Sequence, residues 1–215
     1  MKKLFKRLIV FIILYLIVAR GIDVLLPYYY GNPWFGSKIE YLEKNSKKNG
    51  YNAFFIGSSR FYRNVNPLVF DRVCANNGFD VKSFNLGAPI TFPPQSYYLY
   101  ENWLMSEEAT HTKLVFLELE DLDMFGVRLH TEMSSYHITF KNLFFVLRSI
   151  NANFHLPIPL KLSYAYKYCI SYVENVFHIG HFSQSVLQPD FYHERYLGPD
   201  KTGYFSPDDD LEPKI

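Results

Sequence analysis

A chain of 215 residues suits one domain of ordinary size, and 48% hydrophobic residues are enough for a sizeable core, which excludes a disordered chain. Lysine plus arginine (22) nearly balance aspartate plus glutamate (21), and a formal net charge of +1 leaves no electrostatic case for a nucleic-acid partner. Aromatic residues reach 19%, which core packing absorbs before a sugar-binding cleft need be invoked.

At the amino terminus Lys2, Lys3, Lys6 and Arg7 precede an unbroken apolar run over residues 8–19, which resumes after Arg20 with Ile22, Val24, Leu25 and Leu26. The stretch predicts a membrane anchor over 1–27, at the short end of the ~17–25 residues that a spanning helix needs. Arg20 and Asp23 lie three apart on one helical face, where they can pair near the interface. No small-x-small cleavage site follows the run, so the anchor is expected to stay on the chain. The basic flank belongs on the cytoplasmic side, which places everything after Pro27 outside as the body of a single-pass protein in the cell membrane. Tyr28, Tyr29, Tyr30, Trp34 and Phe35 fit the aromatic belt just beyond such an anchor.

Residues 28–50 read as a connector carrying a short amphipathic helix, and 51–215 as the folded domain. Ala53, Phe54, Phe55 and Ile56 form a short apolar run that stops at Gly57-Ser58-Ser59, the mark of a buried strand ending in a turn. Asn66 as N-cap, Pro67 at the first helical position and Gly78 past the end punctuate a helix between them. Residues 79–86 predict a second strand, stopping at Gly87. Pro93 and Pro94 open a helix, and residues 113–119 predict a third strand. Strands and helices alternating at this spacing imply an α/β fold with a three-layer, flavodoxin-like parallel sheet. The strand ends at Ser59, Gly87 and Glu120 then share the carboxyl edge, where open α/β sheets bind ligands. Residues 141–150 and 160–177 read as helices, and no further strand is expected. Cys74 and Cys169, the only cysteines, leave open a disulfide or, at least as readily, a pair of buried free thiols.

Phe55-Ile56-Gly57-Ser58-Ser59-Arg60, followed by Ser83-Phe84-Asn85-Leu86-Gly87, resembles the first two sequence blocks of the SGNH (GDSL-like) hydrolase superfamily. It looks most like the membrane-anchored members related to envelope-polymer acyltransferases. The resemblance covers about residues 50–125. It implies Ser59 as nucleophile, with the backbone N–H groups of Ser59 and Gly87 as oxyanion donors; no cofactor is expected, and the carboxylates at the end of the third strand are read as solvated, the alternative being a magnesium or calcium site. The family's third block supplies an asparagine; here the third strand runs into Glu118, Glu120, Asp121 and Asp123, whose ionised carboxylates accept and cannot donate. Asn85 is the expected substitute. The family's acid and base come from Asp-x-x-His near its carboxyl terminus, a pattern matched by Asp190 and His193. The flanking turns offer no strand to carry that pair to Ser59, so the sheet is expected to be incomplete and the chain truncated at its carboxyl end. The other histidines, 111, 130, 137, 155, 178 and 181, are expected at the surface or between helices. The implied function is an extracytoplasmic acyl-ester hydrolase or O-acyltransferase acting on a cell-envelope polysaccharide. The competing reading is a non-catalytic binding or scaffold protein of the envelope with the same fold.

Overall fold

The computed structural model describes residues 2–119, 135–178 and 194–206. The chain divides into two compact units, one of residues 1–31 and 126–187, the other of 32–125 and 188–215.

The second unit is built on a three-stranded sheet. β1 (Ala53–Ile56) lies in the centre, with β2 (Ser83–Asn85) and β3 (Leu114–Leu117) parallel on either side. Ala53 stands opposite Ser83 and Leu114, and Phe55 opposite Asn85 and Phe116, so the three carboxyl ends fall on one edge as expected. Alternation along β1 sends Phe54 and Phe55 to opposite faces. Phe54 meets Trp103 of α5 (Gln95–Leu104), with 4.7 Å between ring centroids. In register with Phe54, Phe84 stacks on Tyr41 of α2 (Pro33–Asn49). On the other face Phe55 packs against Phe61 of α3 (Ser59–Asn64), Phe70 of α4 (Pro67–Asn76) and Phe116. β1 and β2 are buried throughout, as strands inside a parallel sheet require, whereas the outer strand β3 leaves Leu114 and Phe116 exposed.

α4 is punctuated as its sequence says: the Asn66 side chain accepts from the Leu68 and Val69 N–H groups, and Pro67 occupies the first turn. β2 is shorter than the strand read over 79–86. β1 starts at Ala53, whose partner is Ser83, so the residues before Ser83 have no strand to pair with; Lys82 O accepts from the Asn52 and Ala53 N–H groups, and the Asn52 side chain accepts from Lys82 N–H and donates to Asp80 O. Asp71 anchors that start by accepting from both the N–H and the hydroxyl of Ser83. The amphipathic helix read within residues 28–50 is present as α2. α2 buries Phe35, Lys38, Ile39 and Leu42 and belongs to the second unit.

The first unit is helical. α1 (Lys2–Leu25) is continuous over 24 residues. α6 (Phe140–Ala152) and α7 (Ile158–Val176) match the two helices read from the sequence and form a hairpin around Leu143, Val146, Ile150 and Tyr168. Thr139 caps α6 by accepting from Asn142 N–H. Asn175 Nδ2 donates to the carbonyls of Tyr136 and Ile138, Tyr15 stacks on Phe177, and the His178 ring lies 3.1 Å from the carbonyl of Ala19. Among the described residues no helix is long and apolar enough to cross a membrane. The expected spanning helix is therefore met only as a helix. Lys2, Lys3, Lys6 and Arg7 occupy its first turns and Arg20 interrupts it later, so the uncharged stretch over 8–19 covers about 18 Å at 1.5 Å per residue. The hydrocarbon core of a bilayer is ~30 Å thick.

Candidate functional site

The carboxyl edge of the sheet is organised by one carboxylate. Glu118 follows β3 directly, and its N–H donates to Ile56 O at 3.0 Å, which aims its side chain across the end of β1. Ser58 N–H donates to Glu118 Oε2 at 2.6 Å, and Ser58 Oγ donates to Oε1 at 2.9 Å. The same hydroxyl oxygen caps α3 by accepting from Arg60 N–H at 3.2 Å, and the Arg60 guanidinium lies 3.5 Å from Glu118 Oε1. Gly57 is required by this packing. A Cβ there would sit 2.4 Å from Glu118 Oε2 and 2.6 Å from Glu118 Cβ. Ser58 is accordingly buried and committed to structure.

Ser59, the next residue, is placed differently. It is the first residue of α3, half-buried, and it lines an open cleft of about 380 Å³ together with Arg60, Arg63, Asn64 and Pro89. Neither its hydroxyl nor its N–H has a hydrogen-bond partner among the described residues. A first-turn N–H has no partner within its helix, so this group is open to a ligand.

The two other expected oxyanion donors are engaged within the fold. Asn85 is fully buried, and its Nδ2 donates to Phe61 O at 2.6 Å and to Val65 O at 2.8 Å, spending both amide hydrogens on α3. Its Oδ1 accepts from Gly87 N–H at 2.8 Å. A Cβ on Gly87 would lie 2.6 Å from Tyr62 N, so the close approach that this glycine permits is that of the α3 backbone. Beyond it, Ala88 N–H donates to Gly57 O at 2.9 Å and ties the exits of β1 and β2 together.

Behind this edge sits Lys38, which sequence reasoning missed. It is fully buried on α2, donates from Nζ to the carbonyl of Gly87, and places Nζ 4.3 Å from the centre of the Tyr62 ring. Desolvation drives its pKa well below the ordinary lysine value. The signal was present in the spacing. Position 38 falls three after Phe35 and four before Leu42, on the face that α2 buries. For Glu118 the signal was Gly57, the one residue type that lets a side chain close over the end of β1.

Asp190 and His193, the expected acid and base, lie outside the described residues, as do Glu120, Asp121, Asp123, His130 and His181. The segment that follows His193 is described. Glu194–Leu197 forms a 3₁₀ turn in which Tyr196 packs on Trp34, two residues from the Asn32 side chain that donates to Thr91 in the loop after β2. Thr202 O then accepts from Asn85 N–H, and Phe205 N–H donates to Tyr62 O. Residues 194–206 thus reach the β2 edge and the helix that begins at Ser59, with no strand among them. His111 precedes β3 and so lies at the opposite edge of the sheet from Ser59, while His137, His155 and His178 belong to the helical unit. Cys74 and Cys169 are both free thiols, but neither is buried as expected: Cys74 is half-buried on α4 and Cys169 is exposed on α7.

No protein-family model, no curated protein and no solved structure matches the chain.

Proposed function

We propose that the protein is an SGNH-like acyl-ester hydrolase or O-acyltransferase of the cell envelope, held at the membrane by α1, with its sheet-bearing unit on the extracytoplasmic side. The observation that carries this reading is the divergence of two adjacent serines. Ser58 is buried against Glu118, whereas Ser59 lines the cleft with its hydroxyl and N–H open. Attack by Ser59 Oγ on an acyl ester or thioester would break its carbonyl–oxygen or carbonyl–sulfur bond, release the alcohol or thiol with the proton that the base took from Ser59, and leave the acyl group on Ser59, from which it passes to a glycan hydroxyl or to water. The Ser59 N–H would stabilise the developing oxyanion, a contribution that is typically among the largest in acyl transfer. A serine hydroxyl needs a base to take its proton and a carboxylate to orient that base. His193 and Asp190 are assigned those roles. The reading is supported by the return of residues 194–206 to β2 and α3. α1 exposes apolar side chains on all sides between Leu8 and Val18, leaving no polar face for lying flat on a membrane. Insertion then requires Lys6, Arg7 and Arg20 to snorkel to the interfaces.

The second reading, a non-catalytic envelope-binding protein on the same fold, is favoured by the engagement of Gly87 N–H and of the Asn85 amide inside the fold. Treatment of the full chain in membranes with a fluorophosphonate, followed by peptide mass spectrometry, separates the two. The enzyme reading expects the adduct on Ser59, lost in His193→Ala. An unlabelled, folded chain supports the binding reading.

A further inference from the structure

The exposed side of α7 is apolar along its whole length. Ile158, Leu162, Tyr166, Cys169 and Val173 follow one another at intervals of three or four and are all exposed, Ile158 to 73%, Leu162 to 67% and Tyr166 to 65%. Such spacing makes one helical stripe, here turned outward instead of inward. Phe154 at the hairpin tip, 95% exposed, and Phe140 and Phe144 on α6 are exposed as well. An outward apolar stripe of this extent marks an interaction surface.

Two observations name the occupant. Residues 140–176 carry Lys141, Arg148, Lys161 and Lys167 against a single acid, Glu174, which is buried. The hairpin that carries the stripe therefore combines apolar and aromatic side chains with an excess of positive charge, the combination that anionic lipid attracts. In addition, α7 ends against α1: Tyr15 stacks on Phe177, the Tyr15 hydroxyl donates to Phe177 O, and His178 meets Ala19 O. The stripe and the exposed apolar side chains of α1 belong to one body.

We propose that the α6–α7 hairpin is a second membrane-contacting element, docking its α7 stripe and its tip into the interface of an anionic bilayer. The proposal rests on the reading of α1 as the membrane-held helix and adds a separate contact to it. The hairpin would then lie along the leaflet with Phe154, Ile158 and Leu162 among the acyl chains and the lysines at headgroup level.

Cys169 lies on the stripe and Cys74 on α4, so the native thiols supply a probe and its control. The full chain is reconstituted into vesicles of phosphatidylcholine and phosphatidylglycerol, with an environment-sensitive fluorophore on Cys169 in Cys74→Ser or on Cys74 in Cys169→Ser. The expected result is a blue shift and quenching by spin-labelled acyl chains at Cys169 only. The shift should shrink in pure phosphatidylcholine and in Ile158→Ser/Leu162→Ser. A chain that stays with the vesicles while the Cys169 probe reports water overturns the hairpin contact and leaves the α1 reading standing. A chain that does not associate with vesicles overturns both. A blue shift in detergent that rises with protein concentration and is indifferent to lipid charge assigns the stripe to a second copy, and overturns the proposal.

Discussion

The two units invert one another's use of polar and apolar side chains. In the sheet unit the apolar residues Phe54, Phe55, Phe84 and Trp103 are buried, and the polar groups taken inside with them, Ser58, Asn85 and Lys38, are each bonded to a named partner. In the helical unit the core is small, and large apolar side chains stand outside on α1, α6 and α7. The difference teaches that the sheet unit keeps its large rings inside, behind an edge assembled from satisfied polar groups, while the helical unit presents a surface suited to a less polar neighbour. An apolar residue should accordingly matter to folding in one unit and to location in the other.

The largest expected effect is in the sheet unit. Phe54→Ala removes a ring fully buried against Trp103 and should cost about 3–5 kcal/mol in urea unfolding followed by Trp103 emission. A loss below about 0.5 kcal/mol, the range of surface substitutions, would break the contrast. Next comes Glu118→Ala, which strips the buried Ser58 N–H and hydroxyl of their acceptor, at about 2–4 kcal/mol given the worth of bonds to charged groups. Gly57→Ala should follow at about 1–3 kcal/mol, because its Cβ overlaps Glu118 and displaces it.

Lys38 sharpens the comparison by its sign. Its pKa is lowered in the fold from an ordinary 10.5. Between the lowered value and 10.5 the unfolded chain binds more protons, so the stability of this unit should rise with pH across that window, by at most about 1.4 kcal/mol per pH unit. Lys38→Met should flatten that rise and leave stability at neutral pH unchanged or higher, since apolar replacement of a buried charge is often neutral or stabilising. A pH profile identical to that of the parent chain would show that the amine is not what titrates. The smallest effect on folding is expected in the other unit, where Leu162→Ser should change unfolding by no more than about 0.5 kcal/mol because the side chain is already exposed.

Much of the fold was legible because its signals are local. Asn66, Pro67 and Gly78 bound α4 by capping chemistry alone, and the aromatic run before Gly57 marks a strand because too few residues are available for a helix. The ends of β2 were not legible, since its length is set by where β1 begins and no residue within 79–82 records that. The site was half legible. Ser59 follows from a strand ending in glycine and hydroxyls, but its separation from Ser58 depends on Glu118, sixty residues away, turning inward over a glycine. An acidic run at a strand end reads as solvated, and only the tertiary partner reverses that. Asn85 illustrates the converse. Its expected role came from a donor that the third block lacked, whereas both its amide hydrogens hold α3.

The claim at the centre of this account is that Ser59, and not its neighbour, is the reactive hydroxyl at the carboxyl edge. It is tested most directly by comparing fluorophosphonate labelling in Ser58→Ala and Ser59→Ala, with unfolding curves to show that both variants are folded. The account predicts no adduct in Ser59→Ala and a slowed but measurable one in Ser58→Ala, where a cap and one bond to Glu118 are lost but the cleft keeps its serine. An adduct surviving in Ser59→Ala, or equal labelling of the two folded variants, would contradict it.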